Sequence, residues 1–185
     1  MLKNFLTEQG REILITREPG AKGLGSKLRE ILLHYEGDVS SNCESFLFLA
    51  DRAQHIDTIV KPAIEAGQIV LCDRHIDSTV AYQGYGRGVD IGQIKMLNNI
   101  ATSGLKPDLT FIFDINIETS AKRVGKNQDR MESSGAEFFK KVREGYLNIA
   151  KEEPERVKVI DGSKSIESIK DVVISIIESK YQIRG

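Results

Sequence analysis

Cysteine is scarce in this chain, with two residues in 185, Cys43 and Cys72. Their separation matches no metal-ligand spacing, and Cys72 lies inside an apolar run where a buried thiol is the ordinary reading. A cysteine-built metal site is set aside, and a reducing, cytoplasmic setting is expected. Net charge is almost absent too: 26 basic against 27 acidic side chains leave a formal charge of -1. No broad positive field is therefore available to hold a nucleic-acid polymer, and a small charged substrate gripped by a few local arginines fits better. No apolar run approaches the length of a membrane span, and Met1-Leu2-Lys3-Asn4 lacks the layout of a secretory signal, so a soluble protein is expected. There is no repeat, low-complexity tract or linker, and 185 residues suit one domain with a substantial core.

What is present is alternation. Strand-like runs at Glu12–Thr16, Gln68–Asp73, Leu109–Asp114 and Val157–Asp161 are separated by stretches of helical periodicity. This pattern implies the α/β class, with a doubly wound parallel sheet and flanking helices. Leu2, Phe5 and Leu6, closing at Gly10, read as the tail of a helix ahead of the first visible strand. Ser41-Asn42-Cys43-Glu44 reads as a capping box that opens a helix toward His55, and Pro62 begins or kinks the next helix, which ends at Gly67. Gly92–Ser103 and Ser165–Tyr181 read as further helices, and the polar, glycine-bounded 125–135 stretch is the one flexible candidate. In the helix from Ser41, Phe46, Leu49, Ala50 and Ala53 make the stripe expected to pack on the sheet. Phe48, Asp51, Arg52 and His55 make a second stripe. Phe48 there either stacks on a flat base, with Arg52 bonding the base edge, or is a partly buried ring beside a surface Asp51–Arg52 patch.

The most informative stretch is Asp73–Gly88, DRHIDSTVAYQGYGRG, directly after the apolar run ending at Cys72. The carboxyl end of a strand is where open α/β sheets place ligand chemistry. An Asp-Arg pair there offers one carboxylate for a cation and one guanidinium for an anion, as phosphoryl transfer from a magnesium nucleotide requires. Thr16-Arg17-Glu18-Pro19-Gly20 also follows a strand, so Arg17 suits phosphate binding; the alternative is a solvated Arg17–Glu18 pair in a turn. Gly20-xxxx-Gly25-Ser26-Lys27 is not a Walker A loop, because no lysine directly follows its second glycine, and residues 1–185 contain no other candidate.

Four ordered motifs, TREPG at 16–20, FLADRAQH at 48–55, DRHIDSTVAYQGYGRG at 73–88 and DRME at 129–132, together closely resemble thymidylate kinase. The resemblance covers essentially the whole chain. It implies a single thymidylate kinase-like domain over 1–185, of the P-loop nucleoside monophosphate kinase type, that transfers the ATP γ-phosphate to dTMP with Mg²⁺. By this resemblance Phe48 stacks on thymine and Arg52 meets its edge. Arg17 and Arg74 grip the dTMP phosphate, with Glu18 beside them in the substrate site. Asp73 serves the deoxyribose and metal-phosphate region, reaching the metal directly or through water. Ser78 and Thr79 match thymine-contacting positions, Tyr82 the aromatic crowding the sugar 2′ position, and Gln83 a neighbouring substrate contact.

In such kinases a lid brings cations over the transferring group, and Arg123, Lys126 and Arg130 share one face if that stretch is helical. The resemblance implies Arg123 and Arg130 as catalytic cations and Lys126 and Asp129 as lid residues, with the lid at 125–135; a solvated charged helix end is the other reading. A homodimer is implied as well, through apolar helix faces such as the one near Phe46. Two departures stand out. His75 occupies the position where the family commonly has tyrosine, and the family's first, central strand and Gly-rich phosphate loop are expected ahead of Met1. Met1 is accordingly read as an internal or misassigned start, and residues 1–185 alone are expected to be impaired in phosphoryl transfer. The alternatives are a noncatalytic dTMP-binding protein and a related nucleoside or nucleotide kinase.

Overall fold

The computed structural model describes residues 2–116, 119 and 130–181. Helix α1 (Leu2–Glu8) precedes strand β1 (Ile13–Arg17), followed by α2 (Leu24–His34) and α3 (Ser41–His55). A π-helical turn, Ile56–Val60, carries α3 straight into α4 (Lys61–Glu65), so that Pro62 lies within one continuous helical run at the point where the hydrogen-bond pattern changes. Then come β2 (Ile69–Asp73), the short α5 (Ile76–Thr79) with a π-helical extension over Val80–Gly86, and α6 (Ile91–Ala101). Strand β3 (Thr110–Asp114), α7 (Ala136–Glu152), β4 (Val157–Asp161) and α8 (Ile166–Tyr181) complete the described chain.

All four strands coincide with the apolar runs of the sequence to within a residue, and their pairing is parallel. Ile13 to Arg17 lie beside Ile69 to Asp73, and Thr110 to Asp114 beside Val157 to Asp161. Among the described residues these form two separate two-stranded ladders, β1–β2 and β3–β4. Strand β2 is half-buried, with a ladder partner on one side only among the described residues.

Two apolar layers flank the strands. Ile13, Ile69, Leu71, Leu109 and Phe111 pack on Leu6 of α1, Ile160, and Val173 and Ile177 of α8. On the opposite side Ile112 and Val157 join Val80, Ala81, Ile94, Phe138, Val142 and Ile149. Neighbouring strand residues thus serve opposite layers, Phe111 one and Ile112 the other, as strand geometry requires. The arrangement is α/β with helices on both faces.

Helix α3 corrects the expected packing. Phe46 is 58 % exposed and Ala50 is exposed, whereas Asp51, Arg52 and His55 are buried. The polar stripe faces inward, where Gly20 and Glu18 from other elements give Asp51 Oδ1, Arg52 and His55 partners. The expected capping box is also displaced by one residue: Ser40 is the N-cap, and its Oγ accepts from the Cys43 N–H at 3.3 Å. That frees Glu44 from the helix terminus.

Candidate active site

The carboxyl ends of β1 and β2 lie side by side, with Arg17 opposite Asp73. Past them the chain turns over a cavity lined by Glu18, Phe48, Arg52, Arg74, Ser78, Thr79, Tyr82 and Gln83, with Leu33, Met131 and Phe139 adding apolar wall. Three distant motifs thereby converge on one hollow. Arg17 and Asp73 stand at the strand ends, both exposed and in no salt bridge among the described residues. Arg123, Lys126 and Asp129 lie outside the described residues.

Arg52 is the deepest cation in the wall, 2 % exposed. Its Nε donates to Glu18 Oε2 at 2.8 Å, and its Nη1 donates to Thr79 Oγ1 at 2.7 Å and Asn98 Oδ1 at 2.6 Å. Nη2 has no partner among the described residues, which leaves it for a ligand acceptor atom. Asn98 is itself oriented, because its Nδ2 donates to the Ile76 carbonyl at 3.3 Å.

Glu18 anchors this array. Its Oε1 lies 2.8 Å from His55 Nδ1 and 3.1 Å from His75 Nδ1, while His55 Nε2 meets Thr16 Oγ1 at 2.7 Å. Burial alone would raise its pKa, but the Arg52 charge and the hydrogen bonds from His55 and His75 hold it well below the usual carboxylate range. Glu18 therefore positions Arg52, and His75 joins the polar array instead of acting as a packed aromatic.

The sign of the resulting pH dependence follows from that depression. Glu18 ionises near its ordinary 4.5 when unfolded and at a lower pH when folded, so its contribution to stability is complete above about 4.5 and is lost as pH falls through the folded value. Glu18→Gln is expected to lower the urea midpoint at neutral pH and to flatten the decline of that midpoint below pH about 4.5. An unaltered acid limb in the variant would show that Glu18 does not carry it.

Asp51 behaves in the opposite way. Its Oδ1 accepts from the Gly20 N–H at 3.0 Å, but its Oδ2 is buried without a partner among the described residues. Burial raises its pKa despite the Gly20 hydrogen bond. Gly20, at φ 90, gives its N–H to this carboxylate, and a Cβ on Gly25 would come within 2.7 Å of Asp51 Oδ1. Those glycines therefore serve a close approach within the protein rather than a phosphate loop.

Arg74 occupies the left-handed region at φ 65, uncommon for a side-chain-bearing residue, and its guanidinium sits 4.9 Å from the Tyr82 ring centre. Tyr82 meets Phe138 and Tyr146 edge-on, and Tyr146 O–H and Ser78 Oγ share a 2.8 Å hydrogen bond. Desolvation, with Tyr82 nearby, pushes the Tyr146 hydroxyl up to about 12. Arg130 is engaged within the protein: its Nε donates to the Leu32 carbonyl at 2.9 Å and its Nη1 pairs with Glu44 Oε2 at 2.7 Å.

A cavity with one wall able to stack a ring, a buried arginine at its base and an exposed arginine at its mouth suits a phosphorylated planar ligand. The thymidylate kinase family model matches residues 1–173. The chain belongs to the thymidylate kinase family. It is 44 % identical to the thymidylate kinase of Desulfovibrio desulfuricans over 194 aligned positions, covering 100 % of this chain and 89 % of that protein. Identity to the thymidylate kinase of a Sulfurihydrogenibium species is 45 %, covering 97 % of this chain and 89 % of the relative. The crystal structure of the Ehrlichia chaffeensis thymidylate kinase aligns with a TM-score of 0.77 at 34 % identity, over 96 % of this chain and 87 % of that one. The thymidylate kinase resemblance read from TREPG, FLADRAQH, DRHIDSTVAYQGYGRG and DRME thus holds at the level of family, parallel α/β fold and phosphotransferase class.

Several residues around this cavity escaped the sequence reading. Asn98 sits in a helix whose sequence offers no motif, and only the fold carries it to Arg52. Glu44 carried a signal that pointed elsewhere, to a helix cap. Tyr146, in α7, reaches Ser78 across 68 residues of sequence.

Proposed function

We propose that this protein transfers the γ-phosphate of ATP to dTMP, and that the cavity between α3 and the Asp73–Gly88 segment is the dTMP site. The observation that carries this reading is the convergence of Phe48, Arg52 and Arg74 on one hollow. Phe48 offers a face for the base and Arg52 Nη2 a donor for a base oxygen. Arg74, with Arg17 beyond it, offers charge for the phosphate, while Tyr82 narrows the sugar region and favours deoxyribose.

Catalysis in such a site is chiefly positioning and electrostatics, since the transferring phosphoryl group needs in-line alignment and neutralised charge. Asp73 fits Mg²⁺: it is an exposed hard-oxygen ligand, free of salt bridges among the described residues, at the strand end beside Arg17. Mg²⁺ characteristically takes one or two carboxylates plus substrate phosphates and waters. When bound it would offset the negative charge of the phosphates. Arg123 and Lys126 belong to this proposal as lid cations and Asp129 as a lid residue, whereas Arg130 is engaged by Leu32 and Glu44 and would have to leave them to act as the lid cation that the resemblance implies.

Because residues 1–185 contain no Walker A sequence, the direct test on this polypeptide is acceptor binding. Phe48→Ala removes the stacking surface, worth about 1–3 kcal/mol per base, so dTMP affinity is expected to fall about 10- to 100-fold. Isothermal titration with dTMP reads this directly, and an unchanged dissociation constant would remove the base from this wall.

A further inference from the structure

Gln83 is 1 % exposed and lines the dTMP cavity, yet an amide can face it with either its carbonyl or its NH₂ group. Which end it shows decides whether the cavity wall accepts or donates a hydrogen bond. Nothing in Gln83 itself makes that choice.

Glu44 makes it. The carboxylate is 1 % exposed, and its Oε1 accepts from Gln83 Nε2 at 3.0 Å. Arg87 donates from Nε to Oε1 at 3.1 Å and from Nη2 to Oε2 at 3.3 Å, and Arg130 Nη1 pairs with Oε2 at 2.7 Å. Burial raises the Glu44 pKa, but the hydrogen bond from Gln83 together with the Arg87 and Arg130 guanidinium groups outweighs it and holds the carboxylate below its ordinary value. An ionised carboxylate can only accept, so the Gln83 NH₂ must turn toward it. Gln83 Oε1 is then directed away, and it has no partner among the described residues while not being sealed from the cavity.

We propose that Glu44 is a positioning residue for acceptor selectivity: by fixing the Gln83 amide it presents a hydrogen-bond acceptor to the bound base. This rests on the cavity being the dTMP site. An acceptor suits the ring N–H of a 4-oxopyrimidine and opposes the ring nitrogen lone pair of a 4-aminopyrimidine. The same carboxylate is also linked to residues 130–134, since Arg130 pairs with it and Arg87, which holds it, donates from Nη2 to Ser134 Oγ at 3.1 Å.

The test is a double-mutant cycle read by isothermal titration with dTMP and dCMP on wild type, Glu44→Gln, Gln83→Met and the double variant. Glutamine at 44 is isosteric but can donate or accept, so Gln83 is released to turn. The ratio of dTMP to dCMP affinity is expected to fall about tenfold or more in Glu44→Gln and in Gln83→Met, with no further fall in the double variant. A general structural role for Glu44 would weaken both nucleotides equally and leave the ratio unchanged, and that result overturns the inference. If Glu44→Gln does not fold, Gln83→Met decides: a wild-type ratio there is equally fatal. Absence of dTMP binding by wild type overturns the dTMP-site reading itself, which separates the two failures.

Discussion

Arg52→Met is expected to lower folding stability by about 3–5 kcal/mol and to abolish measurable dTMP binding. The size follows from what the change leaves behind. Glu18 is 3 % exposed, and its ionised carboxylate depends first on Arg52 to offset the cost of burial. Without Arg52 that charge faces two histidines only, and Thr79 Oγ1 and Asn98 Oδ1 each lose a donor. Methionine restores much of the volume but none of the hydrogen bonds. The companion variant Glu18→Gln/Arg52→Met removes both charges, and it is expected to recover a substantial part of the lost stability, because breaking a buried pair costs more than replacing it. Urea denaturation of the four members of the cycle gives the coupling. A single-variant loss under about 1 kcal/mol would place the pair among surface-like ion pairs and contradict its role as the anchor of the wall.

Arg74→Ala is expected to do the reverse, weakening dTMP binding about 10- to 100-fold while costing at most about 1 kcal/mol of stability. Arg74 is exposed and forms no salt bridge among the described residues; its one ring contact is with Tyr82. Its backbone at φ 65 is already in the left-handed region, so alanine meets the same backbone constraint as arginine. What disappears is a charge-assisted donor for phosphate oxygens. Thymidine, which has no phosphate, should bind the variant and the wild type alike. Equal weakening of dTMP and thymidine would assign Arg74 to the base or to the fold instead.

The contrast between these arginines shows where sequence is informative and where it is not. The strands were legible because each is a short run dominated by β-branched and aromatic residues between turn signals, even where Lys158 interrupts β4, and Arg17 and Asp73 stand at the carboxyl ends of the first two. Helix α3 was legible only in part: of the stripe expected to pack on the sheet Leu49 is buried but Phe46 and Ala50 are exposed, and of the two readings of the second stripe the surface Asp51–Arg52 patch does not hold, since Asp51, Arg52 and His55 are buried. No local pattern reveals that Glu18, 34 residues earlier, supplies the countercharge for Arg52. Ser41-x-x-Glu44 was misread for a related reason. A capping box and a buried ion cluster present the same four letters, and only Arg87 and Arg130, brought in by the fold, distinguish them. The division of the strands into β1–β2 and β3–β4 is likewise a matter of long-range pairing, which strand propensity does not encode.

The central claim is that one cavity reads a thymine-like base at Phe48, Arg52 and Gln83 and a phosphate at Arg74. Competition titration of the wild-type polypeptide with dTMP, dUMP, thymidine and dCMP tests it most directly. The account predicts dTMP as the tightest ligand, a modest loss for dUMP, and losses of about tenfold or more for thymidine and for dCMP. Equal affinity for dTMP and dCMP, or for dTMP and thymidine, would contradict it.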